Sequence, residues 1–198
     1  MQEQGAQLIY TYQNERLKKS LLKLVGDEER LVECDVSSDE SIQAAFSIVK
    51  ERFGTIDGIV HAIAFAPKQE LEGNILNSTR AGFAQALDVS SYSFLAVAKF
   101  AVEKELLNEN ASLATLTYMG STRAIPSYNT MGIAKAALEA EMRYMARDLG
   151  AQGIRVNAIS AGAVKTLAVT GIKDHSKLLD MSQDRAVDCV SVTTSQIG

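Results

Sequence analysis

The chain has 198 residues, 46% of them hydrophobic and 22% charged, with a formal net charge of -4. That length suits one domain with a substantial core, and that composition excludes a disordered chain. The mild acidity, with no block of Lys or Arg, gives a nucleic-acid backbone no electrostatic reason to bind, and no apolar run nears the length that crosses a bilayer.

In chain order, short apolar runs rich in β-formers alternate with longer stretches of helical period. The first ten residues lack the basic and apolar regions of a secretion signal, so a cytoplasmic location is expected. "QLIYTY" (7–12) reads as a strand, "NERLKKSLLKLVG" as a short helix and "RLVECDV" (30–36) as a second strand. In "DESIQAAFSIVKERFG" the residues Ile42, Ala45, Phe46, Val49 and Phe53 recur at three- and four-residue steps, which predicts a helix with one core-facing stripe, ended by Gly54. "GTIDG" (54–58) is a turn leading into the strand "DGIVHAIAFA" (57–66). Residues 79–107 read as one long helix, "SLATLTY" (112–118) as a strand, 128–148 as a second long helix and "IRVNAISA" (154–161) as the last strand. From about residue 180 the chain turns polar.

The apolar positions of these strands are nearly continuous, as expected of parallel strands covered on both faces. The alternation predicts an α/β fold with a doubly wound parallel sheet and right-handed crossovers, built as one domain over 1–198. Cys34 and Cys189 are far apart and lack ligand spacing, so both are expected as reduced thiols and no metal site is expected. His61, inside "IVHAIAF", reads as a hydrogen-bonded core residue, and Met131, Met142 and Met145 as core filler.

In such a sheet, ligands sit beyond the carboxyl ends of the strands. Asp35 and Val36 end the second strand, His61 to Ala66 the third and Tyr118 the fourth, and "AGAVKTLA" (161–168) follows the fifth. Tyr128 opens the next helix, and Lys135 lies seven positions on, two turns along the same face.

The stretches "TYQNERLKK", "DGIVHAIAFAP", "DVSSYSFLAVAK", "LTYMGSTRAIPSYNTMGIAKAALEA" and "GIRVNAISAGAVKTLAVTGIKD", in this order, closely resemble the NADH-using enoyl-acyl-carrier-protein reductases of the FabI type, a branch of the short-chain dehydrogenase/reductase superfamily with a Rossmann-like fold. The resemblance implies reduction of a trans-2-enoyl thioester on acyl carrier protein with NADH. Tyr128 would donate a hydrogen bond to the thioester oxygen as it gains negative charge. Lys135 would hold the nicotinamide ribose, its positive charge favouring the more acidic state of Tyr128. Tyr118 would line the acyl site, and Ala66 would touch substrate. Carbonyl-reducing members place Lys four residues after the Tyr, a position held here by Gly132; the seven-residue spacing, about 10.5 Å of helix rise, favours C=C over C=O reduction.

For the cofactor, the resemblance assigns Gln13 to the adenosine ribose, with no Arg or Lys beside it for a 2′-phosphate; Asp35 and Val36 frame the adenine, Ile63 the ribose, and Val164, Lys165, Thr166, Leu167 and Ala168 the nicotinamide amide and pyrophosphate. Lys173 and Lys177, four apart in "IKDHSK", are candidates for docking acidic carrier protein, and the intact family implies a homotetramer. No glycine forms the phosphate-cradling turn between a first strand and helix, and the family's first and last strands are expected to be absent. That leaves a gap of about 10 Å beside the strand of "LIYTY". A second reading stays open at this point: a catalytically inactive remnant or interaction module of the same family.

Overall fold

The computed structural model describes residues 1–164, 175–185 and 192–197 of the chain. Helix caps and apolar spacing set its elements. β1 (Tyr10–Tyr12) runs into α1 (Glu15–Val25), which starts where the Asn14 side chain accepts from the Leu17 N–H. β2 (Leu31–Glu33) leads to α2 (Asp39–Phe53), capped by the Ser38 hydroxyl on the Ser41 N–H. α3 (Arg80–Leu87), α4 (Ser93–Glu103), α5 (Asn129–Gly150), α6 (His175–Arg185) and the short α7 (Thr194–Ile197) follow, with β3 (Ile56–His61), β4 (Leu107–Thr117) and β5 (Arg155–Ser160) between them.

The chain divides into two compact units, Met1–Asp57 with Ala96–Asn108, and Gly58–Leu95 with Glu109–Gly198. In the first, β1 and β2 pair in parallel, Tyr10 opposite Leu31 and Tyr12 opposite Glu33. α2 buries Ile42, Ala45, Phe46 and Val49, the expected stripe, while Phe53 at its end stays 39% exposed. The three remaining strands lie in the order β3-β4-β5, and β4 pairs with β5 in parallel from Ser112 opposite Arg155 to Thr117 opposite Ser160. Among the described residues β1 bonds to β2, and β3 to β4.

Four expectations need correction. The helix expected over 79–107 is α3, a five-residue π-helical turn (Asp88–Tyr92) and α4. There the Ser93 hydroxyl bonds back to the Val89 carbonyl, and the Ser90 hydroxyl turns to the backbone of Phe65. Its end comes earlier because Glu105 takes a left-handed φ of 50°. Strand β4 consequently begins at Leu107, where pairing beside Ile56 and an Asn108 to Asp57 hydrogen bond extend it through a polar stretch.

"GTIDG" is more than a turn, since Gly58 lies inside β3 and a Cβ there would stand 2.6 Å from the Ser112 carbonyl oxygen. The strands are also not covered on both faces throughout: Val60 and Ile159 remain 50% and 42% exposed, while Val156, on the strand that α5 packs against, is buried. No helix among the described residues is long and apolar enough to cross a membrane.

Candidate active site

Within the second unit, the carboxyl end of β4 and the start of α5 bring the catalytic candidates together. β4 hands over to Tyr118, and a 3-10 turn (Met119–Ser121) returns the chain toward α5. Tyr128 sits at the N-cap of that helix between Ser127 and Asn129, whose φ angles of 58° and 31° are left-handed. For non-glycine residues such angles cost energy and persist where the surroundings hold them.

The two tyrosine rings meet edge to face, centroids 5.2 Å apart at 67°. Tyr128 is buried in a cluster with Leu71, Ile125, Met131 and Ala134, and Ala66, Leu87, Tyr118 and Met119 pack against it. Thus Ala66, Tyr118 and Tyr128, named separately from sequence, line one apolar wall.

Two glycines allow that arrangement. A Cβ on Gly120 would lie 2.5 Å from Cδ1 of Tyr128, and one on Gly132 would lie 2.7 Å from the Gly120 carbonyl oxygen. The fourth position after Tyr128 is therefore closed to any side chain by backbone. Gly120 was not singled out from sequence; its one signal there is its place two residues after Tyr118 in "TYMGSTR".

α5 buries Thr130, Met131, Ala134, Lys135, Leu138 and Met145 along one stripe that includes the second candidate. Lys135 is 6% exposed, and its Nζ donates to the Leu116 carbonyl at 2.7 Å. One turn on, Glu139 accepts from the Thr117 hydroxyl at 2.6 Å. Burial lowers the Lys135 pKa to about 8, with Glu139 pulling the other way. Burial, reinforced by Tyr118, pushes the pKa of Tyr128 above the usual phenol value. Desolvation of the phenolate is the larger cause, so the Tyr128 hydroxyl keeps its proton at neutral pH.

His61 is a core residue as expected, 3% exposed, with Nδ1 against the Thr115 hydroxyl at 3.2 Å and Nε2 against the Ser93 hydroxyl at 2.8 Å. Burial, with Lys135 adding to it, lowers its pKa to about 4 and keeps it neutral. Met131 and Met145 are buried, whereas Met142 lines an open cavity of about 440 Å³ with Thr117, Glu139, Arg143 and Ser160.

Among the cofactor candidates, Gln13 and Asp35 meet in the first unit, where Gln13 Nε2 donates to Asp35 Oδ2 at 3.1 Å. Asp35 lies past the end of β2, in a turn where its Oδ1 accepts from the Ser37 hydroxyl and N–H. Those bonds, the Ser37 hydroxyl foremost, then Gln13, hold its carboxyl below the usual range. An ionised carboxylate beside an amide accepts hydrogen bonds from hydroxyl or amino groups and repels a phosphate, an acceptor that fits an unphosphorylated adenosine ribose. Val36, Ile63 and Val164 are each half-buried. Lys165, Thr166, Leu167, Ala168 and Lys173 lie outside the described residues, as does the side chain of Lys177. No group of three or more His, Cys, Asp or Glu among the described residues is placed to hold a metal ion.

Comparison with known proteins supplies what geometry does not. The family model described as enoyl-(acyl carrier protein) reductase matches residues 1–198. The NADH-dependent enoyl-[acyl-carrier-protein] reductase FabI of Enterococcus faecalis is 58% identical over 198 residues, 100% of this chain and 78% of the relative. That of Bacillus subtilis is 45% identical over 202 residues, again 100% of this chain and 78% of the relative. Among solved structures, the NADH enoyl-[acyl-carrier-protein] reductase of Aquifex aeolicus superposes with a TM-score of 0.92 at 40% identity, over 99% of this chain and 77% of that one. The Bacillus cereus reductase, solved with NADP+ and an indole naphthyridinone, gives 0.86 at 43%, over 91% and 71%.

Proposed function

The chain belongs to the enoyl-(acyl carrier protein) reductase family, and from that membership we propose how its residues divide the reaction. The reaction is the reduction of a trans-2-enoyl thioester on acyl carrier protein to the saturated acyl thioester, the reducing step of fatty-acid elongation. NADH, when bound, supplies the hydride, and the remaining work falls to side chains. Tyr128 donates a hydrogen bond to the thioester oxygen as charge develops on it, and its raised pKa keeps that proton in place. Tyr118 and Ala66 form the wall against which the acyl chain lies.

Lys135, fixed by Leu116, keeps further N–H donors for the ribose hydroxyls. Gln13, Asp35 and Val36 hold the adenosine end; Ile63 and Val164, with Lys165, Thr166, Leu167 and Ala168, hold the remainder. Residues 1–198 work as one dinucleotide-binding domain in the cytoplasm. Ile133 and Tyr144, 41% and 68% exposed on α5, support self-association, and a homotetramer is expected by light scattering. Lys173 and Lys177 dock the acidic carrier protein. Reversing both charges raises KM for carrier-bound substrate and spares a small thioester; equal effects on the two substrates would defeat that assignment.

The observation that carries the reading is the edge-on Tyr118–Tyr128 pair in its apolar cluster, with Tyr128 at the N-cap of the helix that buries Lys135. NADH consumption with a crotonyl thioester tests it. Tyr128→Phe should lower kcat by about 10²- to 10³-fold with NADH affinity kept. No turnover by the unaltered chain, or an undiminished kcat in the variant, would refute it.

A further inference from the structure

Glu70 is a fully buried carboxylate with no part in the chemistry above. It ends a 3-10 turn (Lys68–Glu70) between Ala66 and Leu71, two residues of the Tyr128 cluster. Its Oε1 accepts from the Thr79 N–H at 3.1 Å and the Thr79 hydroxyl at 2.8 Å, and that hydroxyl in turn accepts from the Gly82 N–H at 3.0 Å to cap α3. Gly82 makes room for this, since a Cβ there would stand 2.2 Å from Glu70 Oε1. Oε2 is buried without a hydrogen-bond partner of good geometry. The Thr79 groups foremost, with the Ser78 and Thr130 hydroxyls adding to them, hold the carboxyl below the usual range, so it is ionised at neutral pH. A negative charge at a helix N-terminus is also favoured by the helix dipole.

The same segment is tied at two further points to the first turn of α5. The Ser78 and Thr130 hydroxyls lie 3.2 Å apart, and Asn129 Nδ2 donates to the Gly73 carbonyl at 3.1 Å. Asn129 directly follows Tyr128, and Thr130 is fully buried. A buried ion left partly unpartnered is costly.

We propose that Glu70 is a positioning residue for the acyl site: its carboxylate clamps the 66–79 segment to α3 and α5, setting the distance between the Ala66/Leu71 wall and the Tyr128 hydroxyl. The inference rests on the reductase reading. Loosening the wall removes binding common to substrate and transition state, which appears in KM and grows with the length of chain the wall touches.

The test measures kcat and KM for C4 and C8 enoyl thioesters, with NADH affinity by fluorescence, in the unaltered chain, Glu70→Ala, Glu70→Gln and Thr130→Val. Glu70→Ala should raise KM for the C8 substrate about tenfold and for C4 by less, with NADH affinity unchanged. Glu70→Gln, which keeps the acceptor for Thr79, should recover most of the loss. Thr130→Val is nearly isosteric and leaves the Glu70–Thr79 bonds intact; it should raise the C8 KM about threefold even where the alanine variant does not fold. An active unaltered chain whose variants lose only thermal stability, with the ratio of C8 to C4 KM unmoved, would overturn the inference. An inactive unaltered chain would overturn the reductase reading instead, and the inference with it.

Discussion

Replacing Gly120 by Ala tests whether close packing sets the catalytic tyrosine. The added Cβ would meet Tyr128 Cδ1 at 2.5 Å, Tyr128 Cε1 at 2.6 Å and Tyr118 Cδ1 at 3.4 Å. Carbon contacts settle at about 3.5 to 4.0 Å, so the Tyr128 ring has to yield by about 1 Å. Gly120 is not among the glycines of positive φ, so alanine adopts its backbone angles and the effect is steric. Overpacking of this kind costs about 1–3 kcal/mol, and in a chain of this size each kcal/mol lowers Tm by about 2–4 °C.

A displacement of about 1 Å at a catalytic group costs about 10²-fold in rate. Gly120→Ala should therefore lose about two orders of magnitude in kcat with the crotonyl thioester while Tm falls by several degrees. Gly150→Ala is the control: nothing lies within 4 Å of its added Cβ, so activity and Tm should be unchanged or slightly raised. A Gly120→Ala protein with the original kcat and Tm would show that the Tyr128 ring is not held by this contact.

The buried Lys135 ammonium, with its pKa near 8, should lose its charge as pH rises through that value, so NADH affinity by fluorescence titration should fall above pH 8; Lys135→Met should abolish the dependence. His61 has a folded pKa of about 4 against 6.5 unfolded, so the unfolded state binds more protons between those values and stability is lost as pH falls through that window. Urea unfolding should show a loss of about 2–3 kcal/mol from this residue between pH 7.5 and 4.5, largely absent in His61→Gln. Cys34 is buried and its thiol is pushed up to about 11, by burial first and the Asp35 charge second. In a Cys189→Ser background an aromatic disulfide reagent should label it only on unfolding; rapid labelling of the native protein would contradict its burial.

Much of this site was legible in one dimension. The seven-residue spacing places Lys135 two turns along the helix face that Tyr128 opens. Apolar runs located all five strands, and the apolar flanks of His61 marked it as core. Capping chemistry at Asn14 and Ser38 set helix starts locally. These features depend on near neighbours in the chain, which a sequence displays directly.

What depends on distant neighbours did not show. The π-helical turn arises because Ser90 reaches the Phe65 backbone, and β4 begins early because its polar start lies beside Ile56 and Asp57. The raised pKa of Tyr128 follows from burial against Tyr118 and Leu71, which neighbouring residues in the chain do not display. Gly120 and Glu70 gain their roles only from what packs against them. The sequence by itself determined which elements form and which residues share a helix face, because hydrophobic period and caps act over a few residues. Only the tertiary structure decided charge states, close approaches and the apolar wall around Tyr128, because desolvation and steric contact are set by residues far apart in the chain.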